Sequence, residues 1–91
     1  EIAAEENDAA IIQYNVYPNP SSNGQFTVEF SSLTNPAEIK VFDLSGRVVF
    51  SETSEQSNLK QAIDLSNMNT GMYLLRISDG TNTKTTKLIK Q

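Results

Sequence analysis

The chain contains no cysteine, no histidine and no tryptophan. Without Cys there is neither a disulfide to hold a small fold together nor a thiol nucleophile. Without His it lacks the usual general base and the commonest metal ligand. Hydroxyl side chains are abundant, but no ordinary nucleophile–base pair can be written for them. No apolar run approaches the ~20 residues needed to cross a bilayer as a helix. No Asp-x-Asp-x-Asp loop offers clustered oxygens to calcium. Glu29, Glu38, Asp43, Asp64 and Asp79 are scattered over expected strand faces and turns. That distribution suits turn formation by Asp43, Asp64 and Asp79 better than the paired carboxylates of a glycoside hydrolase. The net charge of −4 argues against a nucleic-acid surface. No catalytic, cofactor-binding or metal-ligating residue is assigned, and no cofactor is expected.

What remains is a polar, turn-rich chain of 91 residues, the size of one small domain. A chain this short buries a modest fraction of its surface and is marginally stabilised. Ser, Thr and Asn together make up 27 residues, a composition suited to β edges and turns. Charge is unevenly placed. Glu1, Glu5, Glu6 and Asp8 crowd the start, whereas residues 80 to 91 hold three Lys and no acid. The chain does not begin with Met and reads as a piece of a longer polypeptide, in which case any targeting signal at the original N-terminus has been lost. Residues 1–13 read as a flexible acidic linker, since an isolated helix of about a dozen residues is marginal in water. Residues 14–91 read as the folded domain.

Within that domain the side-chain period is two. Tyr14–Tyr17 is a short extended piece that runs into Pro18-Asn19-Pro20, a stiff segment in which each proline fixes its own φ and restricts its predecessor. Gln25–Ser31 alternates cleanly, with Phe26, Val28 and Phe30 on one face. Glu38–Leu44 and Arg47–Glu52 flank the Ser45-Gly46 turn as a hairpin. Leu59–Leu65 alternates again. Ser66–Thr70 reads as a turn or a single helical turn. Tyr73, Leu75 and Ile77 then form the apolar side of a strand that begins after Gly71 and ends at Asp79-Gly80, a strong hairpin signal. Thr81–Lys90 returns as a Thr-rich strand bearing Lys84, Lys87 and Lys90.

About seven short strands with turn signals roughly every 8 to 12 residues predict an all-β fold, a small antiparallel immunoglobulin-like β-sandwich. The expected core is Val16, Phe26, Val28, Phe30, Ile39, Val41, Val49, Ile63, Tyr73, Leu75, Ile77 and Leu88. Either face of Val48–Phe50 could point inward. A sandwich of this size also suits a carbohydrate-binding or adhesive module. Tyr14, Tyr17 and Phe42 are the candidate exposed rings for sugar stacking, but they form no evident platform.

Four groups of residues, in order, resemble the type A C-terminal sorting domain of the type IX secretion system. Val16-Tyr17-Pro18-Asn19-Pro20 matches the family's opening YPNP. Val41 to Val49, with Asp43, Gly46 and Arg47 at its turn, matches its strand–turn–strand. Ile63-Asp64-Leu65-Ser66 followed by Thr70-Gly71-Met72-Tyr73 matches its central segment, and Lys84-Thr85-Thr86-Lys87-Leu88-Ile89-Lys90 matches its basic terminal strand. Each piece is weak alone; their order and spacing carry the resemblance from Val16 to the last residue. The one departure is Gln91 after the final Lys.

The resemblance implies a signal rather than an enzyme. Such a domain is fused behind a cargo protein that reaches the periplasm by its own signal peptide. The outer-membrane secretion translocon recognises the domain. A surface transpeptidase then removes it, leaving the cargo at the cell surface or outside the cell. The cut is expected in residues 1–13, because an unpaired backbone can enter a protease groove and a strand cannot. Lys84, Lys87, Leu88, Ile89 and Lys90 are the candidate residues read by the machinery, through a backbone edge with charge beside it. Lysines on an edge strand also block aggregation without any partner. Tyr17, Pro18, Asn19, Pro20, Asp43, Gly46, Arg47, Gly71, Tyr73 and Gly80 match motif positions and are expected to act mainly in the fold, with Gly46, Gly71 and Gly80 at positive φ.

Overall fold

The computed structural model describes residues 12–33 and 35–91. Most of the acidic linker, and Thr34, therefore lie outside the described residues. The strands are β1 (Tyr14–Tyr17), β2 (Gln25–Phe30), β3 (Ala37–Phe42), β4 (Val48–Ser54), β5 (Lys60–Asp64), β6 (Gly71–Ser78) and β7 (Thr83–Lys90). They form two antiparallel sheets with the orders β1-β2-β5 and β4-β3-β6-β7. This is the all-β, immunoglobulin-like sandwich that the strand pattern predicts. Both β1 and β7 are edge strands.

Alternation decides which side chains meet between the sheets. Phe26, Val28 and Phe30 of β2, Ile39 and Val41 of β3, and Tyr73, Leu75 and Ile77 of β6 all face inward and are buried, as are Ile63 and Leu88. The expected core holds with two corrections: Val16 and Val49 are only half-buried and pack against its rim. Ile12, Ala37 and Leu65 complete the core. Leu65 falls on the Ile63 side of the Leu59–Leu65 alternation, whereas Ile12 and Ala37 lie just outside the alternating stretches.

Two boundaries also differ. The strand expected to run to Leu44 stops at Phe42, and Leu44 stands on the turn, 68% exposed. A register shift between Val41 and Phe42 pairs Val41 with Phe50 but Phe42 with Val48. That bulge answers the open question about Val48–Phe50: Phe50 and Val49 lean toward the core, and Val48 is 45% exposed. The return strand then runs on to Ser54, whose side chain is buried, two residues beyond the expected end at Glu52.

At the other end of the chain, Gln13 accepts a backbone hydrogen bond from Ser31 at 3.0 Å. Ile12 beside it is 5% exposed. The packed structure therefore includes the last two residues of the segment read as linker.

Candidate functional site

The terminal strand β7 pairs with β6 in an unbroken register from Ser78↔Thr83 to Gly71↔Lys90. Leu88 is fully buried, so Lys84, Thr86 and Lys90 share its side of the sheet, while Thr85, Lys87 and Ile89 take the opposite side. The three lysines therefore do not form one basic stripe. Lys87 is exposed on the outer face, opposite Leu74. Lys84, also exposed, lines a groove of about 540 Å³ between β1 and β7, with Ile12, Tyr14, Asn19 and Thr86 among its walls. Tyr14 and Thr86 are hydrogen-bonded through their hydroxyls across this seam.

Lys90 has a different role. It is half-buried, and its ammonium donates to the carbonyls of Leu65 at 3.2 Å, Ser66 at 2.9 Å and Met68 at 2.5 Å. These carbonyls belong to the turn after β5. Lys90 thus ties the end of the chain to the entry of β6. The hydrogen bonds from Ser66 hold the Asp64 carboxyl below its ordinary value, and the nearby Lys90 charge adds to the effect.

The outer edge of β7 is partly occupied. The Asn19 side-chain amide donates to the Lys87 carbonyl at 2.8 Å and accepts from the Ile89 amide at 3.1 Å. Ser21 continues the pairing through its backbone. Its N–H donates to the Ile89 carbonyl at 2.9 Å, and its carbonyl accepts from the Gln91 N–H at 2.9 Å. The peptide bonds before Pro18 and Pro20 are both cis. Through the hydrogen bonds of Asn19 and Ser21, the Pro18-Asn19-Pro20-Ser21 segment covers the edge from Lys87 to Gln91. Strand geometry points the N–H and C=O of Thr83 and Thr85 to that same side, and among the described residues no segment pairs with them there.

The remaining motif positions shape turns and the core. The Asp43 carboxylate accepts from the Ser45 amide (3.0 Å), the Ser45 hydroxyl (2.6 Å) and the Arg47 amide (3.0 Å). It also pairs with Arg47 Nε at 3.2 Å. The Ser45 hydroxyl and the Arg47 amide hold its carboxyl below the usual range. Gly46, at φ 92°, closes this turn. Asp79 accepts from the Thr81 and Asn82 amides, which lower its carboxyl likewise, and Gly80 sits beside it at φ 93°. Gly71 opens β6, and Tyr73, 5% exposed, donates its hydroxyl to the Asn69 carbonyl at 2.5 Å.

Two further positions matter that periodicity could not assign. Ser21 is fully buried, and its hydroxyl accepts from the Gly24 amide at 3.1 Å while lying 2.9 Å from the Gln25 carbonyl. Gly24, at φ 80°, approaches the Leu65 carbonyl so closely that a Cβ would sit 2.8 Å from its oxygen. The Ser-Ser-Asn-Gly run signals a turn, but not that its glycine packs against a distant carbonyl.

Residues 15–91 match the family model described as a secretion system C-terminal sorting domain. The chain belongs to that family. It carries the sorting signal of the type IX secretion system, acts with that machinery while fused to a cargo protein, and marks a secreted protein destined for the cell surface or beyond. The family is one of sorting signals rather than catalysts. No curated protein matches the chain.

The sorting domain has no aromatic platform for a sugar among the described residues. Tyr14 turns toward the seam, Tyr17 lies on the other side of β1 donating to Glu29 at 2.8 Å, and Phe42 is on the second sheet beneath Arg76, 4.8 Å from guanidinium carbon to ring centroid.

Proposed function

We propose that the secretion machinery reads this sorting domain through β7, by adding a strand to the edge of Thr83–Thr85 while Lys84 and Lys87 engage carboxylates on either side. The observation that supports this is the division of the β7 edge, covered by Asn19 and Ser21 from Lys87 onward and without a strand partner, among the described residues, before that. Strand addition draws affinity from main-chain hydrogen bonds and specificity from flanking side chains. Leu88 and Lys90 then act indirectly, since one is in the core and the other caps a turn; Ile89 is half-buried beside them. The translocon in the outer membrane is the first partner, met after transit of the periplasm. A surface transpeptidase is the second, and it cuts upstream of Ile12, whose side chain is already packed in the core. The domain itself performs no catalysis.

The test is a Thr85→Pro variant of the full domain behind an exported fluorescent protein. Proline removes an N–H that faces outward, a change that edge strands tolerate. Loss of surface delivery with an unchanged circular dichroism spectrum supports reading through the edge. Delivery equal to the parent's contradicts it. The mass of the delivered cargo locates the cut, and a C-terminus downstream of Ile12 would contradict its placement.

A further inference from the structure

Phe42, Leu44, Val48, Met72 and Leu74 gather at one end of the outer face of the four-stranded sheet. The register makes Phe42 the direct neighbour of both Val48 and Leu74, so a single apolar row crosses β4, β3 and β6 and ends at Lys87 on β7. Exposure along it is high: Leu44 68%, Val48 45%, Met72 40% and Leu74 37%. Isolated apolar residues on a surface need no explanation, but a contiguous group of this kind marks an interaction site. A shallow cavity of about 410 Å³ lies between Leu44 and Leu74, floored by Phe42 and walled by Arg76.

Leu44 is presented rigidly. The Asp43 carboxylate fixes both Ser45 and Arg47, and the Asp43 and Arg47 backbones pair at 2.9 Å. The turn therefore holds the Leu44 backbone in place and its side chain out in solvent, so that little backbone freedom is left to lose on binding. The unpaired charge at the rim is basic. Arg76 and Lys87 border the patch and have no carboxylate partner among the described residues, whereas Asp43, which also lines the cavity, is paired with Arg47, and Glu38 is paired with Lys40 at 3.6 Å. An uncompensated basic rim on a chain of net charge −4 selects the partner's sign.

We propose that this face is a second docking surface, separate from the β7 edge, for a protein component of the secretion machinery that offers an apolar ridge flanked by carboxylates. The inference rests on the sorting function and specifies a second contact for it. Leu44 and Leu74 anchor the ridge, and Arg76 pairs with its acids. Phe42, Met72 and Arg76 are residue types enriched in the cores of such interfaces.

The test uses the full domain behind an exported fluorescent protein, in a host that has this secretion system. Leu44→Asp with Leu74→Thr removes the anchors, and Arg76→Glu reverses the rim on β6 without touching the β7 edge. Each variant is expected to leave circular dichroism and the urea midpoint close to the parent's and to reduce surface delivery about tenfold or more. Should the first pair fail to fold, Leu44→Asp alone, at an exposed turn, decides the matter on the same expectation. A delivered parent with equally delivered variants overturns this inference and leaves the sorting reading intact. A parent that stays in the periplasm overturns both. Purified parent is also tested against phosphatidylglycerol vesicles and by sedimentation. Vesicle binding or self-association that the anchor variants abolish would assign the face to lipid or to a second copy, and would overturn the proposal.

Discussion

The side chain of Asn19 is hydrogen-bonded to the backbone of Ile89, at 3.1 Å, across almost the whole length of the chain. With its second bond, to the Lys87 carbonyl, the amide imitates one residue of a neighbouring strand. Asn19→Ala deletes both bonds and leaves two strand groups to water. The expected cost is about 1 kcal/mol, because exposed hydrogen bonds are exchanged for bonds to solvent. Urea denaturation measures it, and hydrogen exchange at the Ile89 amide should accelerate in the variant. An unchanged exchange rate would mean that the contact does not protect the edge.

Lys90 gives a sharper effect. Three carbonyls converge on its ammonium, and bonds to a charged donor are worth more than neutral ones. Lys90→Met keeps the length of the stem and removes the donors, at an expected cost of about 1–3 kcal/mol. Lys84→Met and Lys87→Met, at exposed positions, should stay within about 0.5 kcal/mol of the parent. Chemical denaturation of the three variants distinguishes the structural lysine from the other two.

Gly24 and Gly46 share a positive φ but not an environment. A methyl group at Gly24 would meet the Leu65 backbone and the Lys90 stem, whereas one at Gly46 would meet nothing within 4 Å. Gly46→Ala should cost the left-handed conformation alone, about 1–2 kcal/mol. Gly24→Ala should cost clearly more and also disturb the Lys90 contacts. Equal urea midpoints for the two variants would refute the packing account.

These contrasts show how far the chain could be read without coordinates. Strict alternation in Gln25–Phe30 and Gly71–Ser78 has one physical cause, a half-buried pleat, and both strands stand where that pattern puts them. The motif turns were equally legible, because Asp and Gly at Asp43–Gly46 and Asp79–Gly80 carry their own local hydrogen-bond chemistry. Ile12 and Gly24 were not, since each owes its role to a neighbour far away in sequence. The separation of Lys84 and Lys90 from Lys87 follows from parity once β7 is placed. The capture of Lys90 by a turn some twenty-five residues earlier does not, because it is a tertiary contact.

Stability should depend on pH on the acid side. Asp43, Asp64 and Asp79 all have carboxyls held below the ordinary value of 3.8 by hydrogen bonds to their charged form. Their contribution is complete above the unfolded value and is lost as pH falls through the folded ones, that is, below about pH 4. The urea midpoint should therefore be level from neutrality to about pH 5 and fall below that. An Asp43→Asn, Asp64→Asn, Asp79→Asn variant should lose part of this slope. At the alkaline end, the bond to Glu29 raises Tyr17 above 10.0. Ultraviolet titration should show a late Tyr17 component that moves back toward normal in Glu29→Gln.

The most direct measurement of the central claim is portability. An unrelated fluorescent protein, given an export signal peptide at its front and residues 1–91 at its back, is expressed in a host that has the type IX secretion system, beside the same protein without those residues. The account predicts that the first reaches the cell surface or the medium and that the second stays in the periplasm. Periplasmic retention of both would contradict it.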